Sequence, residues 1–167
     1  MLSDNRSEKA ILVVDMINEF AHNQGNFFVP SSREIIPYIL GELQYFRERN
    51  RPVIFCNTVW EKEKAYSSAV IQDLSPRTKE LCINKIRPNA FFKTELKSIL
   101  EQLKVKNLII VGVPFHTSVL LTAAAAMDHG FLVVVPETCV GSAHEQEYMS
   151  ALQIINRWQS CEQMKII

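Results

Sequence analysis

Short runs of β-branched and other apolar residues alternate along this chain with longer stretches whose apolar residues recur at helical spacing. Few architectures accept that pattern. Strands that are apolar throughout need cover on both faces, and helices between them supply it, so the alternation predicts a parallel sheet between two helical layers. Six strands are expected, at 10–15 (AILVVD), 52–57 (PVIFCN), 81–84, 108–113 (LIIVGV), 131–135 (FLVVV) and 163–167 (QMKII).

The intervening segments carry helix signals. Ser31 and Glu34 form a capping-box pattern ahead of Ile35, Ile36, Ile39, Leu40, Leu43 and Phe46, which predicts a helix to about Asn50 with Pro37 kinking or delaying its first turn. Thr94 is placed to cap a second helix with Leu96, Ile99, Leu100 and Leu103 on one face. A third starts near Thr117 and stops at Gly130, because glycine takes the left-handed conformation cheaply. Ser142 and Glu145 open a fourth, carrying Leu152, Ile155 and Trp158. Residues 60–79 fit no element and read as a lid or pocket wall.

A length of 167 residues predicts one domain, 1–167, with enough interior to need no staples. Lys plus Arg (18) equals Asp plus Glu (18), and no long basic run occurs. A nucleic-acid or anionic-membrane binder would carry such a run, so the expected partner is a small molecule. Cys56, Cys82, Cys139 and Cys161 include no CxxC pair and are expected as reduced thiols. The polar N-terminus and strand-sized apolar runs predict neither signal peptide nor membrane span, hence a cytoplasmic location.

In an open α/β sheet, ligands bind beyond the carboxyl ends of the strands, where chain turns into loop. Three polar residues stand at such places: Asp15 after ILVV, Lys85 after the short third strand, and Ser118 at the start of the helix after LIIVGV. Singly, each has a plainer explanation as a strand-end carboxylate, a solvated lysine and a helix-cap hydroxyl. Phe20 and Trp60 are candidate substrate contacts around them. A dinucleotide-binding turn would need glycines that DMINEF lacks, and a phospho-acceptor site would need further acidic residues around magnesium.

The strings LVVDMINEF, KIRPNAFFKTEL and IIVGVPFHTSVLLTAAAAMDHGF, in this order, resemble the isochorismatase-like hydrolases, also called the cysteine hydrolase superfamily. The resemblance implies a Rossmann-like sheet of order 3-2-1-4-5-6, homo-oligomers, an acidic residue at Asp15, a lysine at Lys85, and a cis peptide between Val113 and Pro114. It places the family's nucleophilic cysteine at Ser118, after the matching pair Gly112 and Val113. A serine hydroxyl needs a stronger base than a thiol does, and Pro114 stands where the cysteine-bearing members use a backbone N–H in the oxyanion hole.

The isochorismatases proper cleave vinyl ethers without a cysteine and carry a histidine where His116 stands, although Ile17 replaces their usual glutamine. That branch implies Asp15 as general acid, Lys85 as electrostatic clamp on an anionic substrate, and Pro114 and His116 as further substrate contacts. The nicotinamidase branch adds a metal held by an aspartate and histidines after the second strand. Between Asn57 and Gln72 this chain has only Glu61 and Glu63 as possible ligands, and His22, His129 and His144 are dispersed. No metal and no cofactor are expected. The expected function is hydrolysis of a vinyl-ether or amide bond in a small metabolite. The alternative is an inactive family member that binds a small molecule or a partner.

Overall fold

A computed structural model describes residues 8–60, 66–159 and 163–167. Its sheet has six strands, β1 (Lys9–Val14), β2 (Val53–Thr58), β3 (Leu81–Lys85), β4 (Asn107–Gly112), β5 (Leu132–Val135) and β6 (Met164–Ile166), in the order β3-β2-β1-β4-β5-β6. Every neighbouring pair is parallel. Each strand found lies within a residue or two of the run that predicted it.

The helices are α1 (Asn18–Ala21), α2 (Ser32–Glu48), α3 (Leu96–Gln102), α4 (Leu120–Asp128) and α5 (Glu145–Trp158). Alternate residues of the central strands enter two separate cores. Ile11, Val13, Phe55 and Val111 pack under α2 through Ile35, Ile39, Leu43 and Phe46. Leu12, Val14, Ile54 and Ile110 pack under α3, α4 and α5 through Leu96, Leu100, Ala123, Ala126 and Ile155. Pro37 lies inside α2 on its exposed side, so the helix continues past it while the core face stays intact.

Two caps differ from expectation. Ser31 has helical backbone angles and its hydroxyl donates to the Ser142 carbonyl (3.0 Å), so the Ser31–Glu34 box does not form. At α5 the box is made by His144 and Glu147 instead of Ser142 and Glu145. Thr94 Oγ1 accepts from the Leu96 N–H (3.3 Å) just ahead of α3. Before α4, residues Phe115–Val119 form a π-helical turn in which the Val119 N–H reaches back to Pro114 O.

Gly112 closes the approach of β4 to β1. Its φ is +125°, and a Cβ there would overlap the Val14 carbonyl oxygen. No helix of the described residues is long and apolar enough to cross a membrane.

Candidate active site

The sheet brings Asp15, Thr58 and Lys85 together at the carboxyl ends of β1, β2 and β3. Asp15 follows β1 directly and turns out of the strand with φ +52°, a left-handed conformation that aspartate tolerates better than most residues. Thr58 and Lys85 are register partners across β2 and β3, so their side chains share one face. The consequence is a compact polar knot. Asp15 Oδ1 accepts from the Thr58 N–H (2.7 Å), and Oδ2 accepts from Lys85 Nζ (2.7 Å). Lys85 Nζ also donates to Thr58 Oγ1 (2.6 Å) and to Arg87 O (3.3 Å).

An ammonium has three hydrogens and no acceptor, and all three of those on Lys85 meet an oxygen. Both Asp15 oxygens accept, which is the complement of a carboxylate. The resting knot is therefore an ion pair, with Asp15 at 0% and Lys85 at 1% exposure. All three donors of Lys85 are used inside the knot, two of them on Asp15 and Thr58, so its geometry secures Asp15.

Beside the knot lies a cavity of about 280 Å3 lined by Phe20, Phe27, Thr58, Trp60, Ile86, Arg87, Pro88, Pro114, Thr117 and Ser118. Three of the expected contacts, Phe20, Trp60 and Pro114, are in its wall. The Phe20 and Trp60 ring centroids are 5.9 Å apart, and Phe27 stacks on Trp60 at 19°. His116 is not in the wall. Its Nδ1 lies 3.2 Å from Ser142 Oγ and 3.6 Å from Glu147 Oε2, because the π-helical turn directs it toward the start of α5.

Ser118 lies in that turn and is 4% exposed. Among the described residues its hydroxyl has no hydrogen-bond partner, so neither Lys85, Asp15 nor His116 is set to take its proton. The Val113–Pro114 peptide is cis, and Pro114 contributes no N–H to the cavity. Thr58 links ion pair and cavity, since it belongs to both.

Sequence reasoning passed over Thr58, Phe27, Ile86, Arg87 and Thr117. A signal for two of them existed: Thr58 is the polar residue that ends β2, and Arg87 follows Lys85 by two positions. Arg87 forms no ion pair among the described residues, which leaves its guanidinium uncompensated at the cavity rim.

No group of three or more His, Cys, Asp or Glu among the described residues is placed to hold a metal ion. Glu61 and Glu63 lie outside the described residues. The described loop after β2 brings no aspartate, histidine or cysteine before Asp73, so its donors do not fit the metal set of the nicotinamidase branch. Cys56, Cys82 and Cys139 are free thiols, and Cys161 lies outside the described residues.

Residues 9–164 match the isochorismatase domain. Over 163 residues the chain is 26% identical to the uncharacterized isochorismatase family protein YaaI of Bacillus subtilis, covering 90% of each chain. An isochorismatase-like hydrolase from Alkaliphilus metalliredigens superposes with a TM-score of 0.88 at 22% identity, over 96% of this chain and 94% of that one. The pyrazinamidase of Pyrococcus horikoshii, solved in complex with zinc, superposes with a TM-score of 0.84 at 22% identity, over 96% and 98%.

Proposed function

Because the chain belongs to the isochorismatase family, we propose that it is a hydrolase of a small, planar, anionic metabolite, with Asp15 as acid and base and Lys85 as the residue that positions and recharges it. The observation that carries this reading is the Asp15–Lys85 pair joined through Thr58 to an aromatic cavity. Phe20, Phe27 and Trp60 suit a flat substrate, and Arg87 suits its carboxylate.

The favoured bond is a vinyl ether. If the Lys85 proton moves along the 2.7 Å contact to Oδ2, Asp15 becomes the neutral acid and Lys85 the neutral amine, with no net change of charge. Asp15 then protonates the vinyl carbon, and the oxocarbenium ion so formed takes up water. The proton that the water loses returns through Asp15 to Lys85, and the hemiketal breaks to a ketone and an alcohol. No tetrahedral acyl intermediate arises, so the missing N–H at Pro114 costs nothing here. Amide cleavage at Ser118 would need both a base for its hydroxyl and an oxyanion donor at that place.

A second reading, a binding protein that keeps the fold without turnover, draws on the lack of any exposed surface at Asp15. A screen of small vinyl ethers and amides followed by product mass spectrometry separates the two. Ketone release from a vinyl ether supports the hydrolase. Cleavage of amides alone overturns the preferred bond, and tight binding with no product in any member supports the second reading.

A further inference from the structure

At the end of the sheet opposite Asp15, a groove of about 660 Å3 lies between the end of α2, the start of β2 and the loop entering β3. The chain as a whole is uncharged, yet this groove gathers Arg47, Arg51, Arg77 and Lys79 against one carboxylate, Glu80. That carboxylate is already committed. Arg47 grips it through two bonds (2.7 and 2.8 Å), and the Arg77 N–H donates to it as well (2.8 Å).

The side-chain cations of Arg51, Arg77 and Lys79 form no ion pair among the described residues, although Arg77 still acts on Glu80 through its N–H and, at longer range, its charge. Arg51 is held in place by its Nη1 bond to the Tyr45 hydroxyl (3.1 Å) and by the Phe46 ring, 5.9 Å from its guanidinium carbon. Its Nε is buried, with no acceptor among the described residues. Apolar surface completes the groove, with Leu103 facing it and Leu81 41% exposed at the first position of β3.

We propose that this groove is a second ligand site, for a small organic phosphate with a flat apolar part, of which a mononucleotide is the type. A phosphate dianion with three free oxygens suits a groove lined by Arg51, Arg77 and Lys79 better than a carboxylate does, and the apolar part rests on Leu81 and Leu103. The volume lies within the usual range for small-ligand sites. The two strands that open on the groove, β2 and β3, end at Thr58 and Lys85, so an occupant would share both strands with the Asp15 knot. The proposal is independent of the hydrolase reading.

The test is calorimetric titration of the full chain with adenosine 5′-monophosphate, adenosine and inorganic phosphate, with leucine and valine methyl spectra to locate the bound molecule. The monophosphate is expected to bind at least tenfold more tightly than either fragment and to shift Leu81 and Leu103 rather than Val119. The exposed double variant Arg77→Gln/Lys79→Gln is expected to lose at least tenfold in affinity without loss of Tm, as is Arg51→Gln if it folds. Arg33→Gln, at the opposite end of α2 from the groove, is expected to leave the monophosphate affinity within twofold of the original. Adenosine or inorganic phosphate binding as tightly as the monophosphate would overturn the proposal. So would methyl shifts confined to the Asp15 end, no binding, or an Arg77→Gln/Lys79→Gln affinity within twofold of the original.

Discussion

Lys85 Nζ lies 2.7 Å from Asp15 Oδ2, and neither side chain exposes any surface. Two charges taken out of water in this way are tolerable because each supplies the other's partner and Thr58 completes both. Removing one charge strands the other. Lys85→Met is expected to cost about 3–5 kcal/mol of stability, while adding Asp15→Asn to it costs much less than the sum of the two single changes. Urea unfolding of the four proteins in a double-mutant cycle measures the coupling.

Gly112 and Gly130 both have positive φ, +125° and +85°, but only Gly112 faces a wall. A methyl group there would overlap Val14 O and push β4 off β1, whereas nothing lies within 4 Å of the corresponding position at Gly130. Gly130→Ala should therefore cost about 1–2 kcal/mol, the penalty for a left-handed residue alone. Gly112→Ala should cost clearly more and shift the site residues that follow it. Denaturation midpoints of the two variants, compared side by side, check this.

Burial alone would push the Glu80 carboxyl up, but the Arg47 side chain and the Arg77 N–H more than offset it and hold the carboxyl below its ordinary value. Between the lowered folded value and the ordinary unfolded one, the unfolded chain binds the proton and the folded chain does not. The stabilisation is thus present above the ordinary carboxylate range and lost as pH falls through the folded value. Glu80→Gln should show a shallower loss of Tm on acidification than the original protein, with the two curves converging at the acid end.

Burial pushes the Cys56 thiol up to about 12 and the Cys139 thiol up to about 11. Cys82 is raised too, by burial and by Glu80, but its side chain reaches solvent. In the native protein at mildly alkaline pH, iodoacetamide should modify Cys82 and leave Cys56 and Cys139 intact until urea is added. Peptide mass mapping reads the pattern directly.

Strand positions were legible because β1, β2, β4 and β5 are separate apolar runs, and the sheet order followed from the resemblance of three motifs. Asp15, Lys85 and Ser118 were legible as strand-end and helix-start polar residues, and the structure brings Asp15 and Lys85 into contact. The partners were not. Thr58 enters the knot partly through its backbone N–H, which no side-chain pattern announces. Ser31 and Ser142 both look like caps locally, but Ser31 bonds to the Ser142 carbonyl and Ser142 meets His116, contacts spanning 111 and 26 residues of chain. His116 follows from the same cause: the π-helical turn rotates it toward α5, and such a turn leaves no periodicity to read.

In the proposed mechanism the proton chemistry belongs to Asp15 and Ser118 only lines the cavity. Steady-state kcat on a vinyl-ether substrate, measured for the original protein, Asp15→Asn and Ser118→Ala under one set of conditions, tests it most directly. A loss of about 100- to 10,000-fold is expected for Asp15→Asn, as for removal of a general acid, and a change of no more than about tenfold for Ser118→Ala. A Ser118→Ala loss equal to that of Asp15→Asn, with a covalent adduct trapped on Ser118, would contradict it.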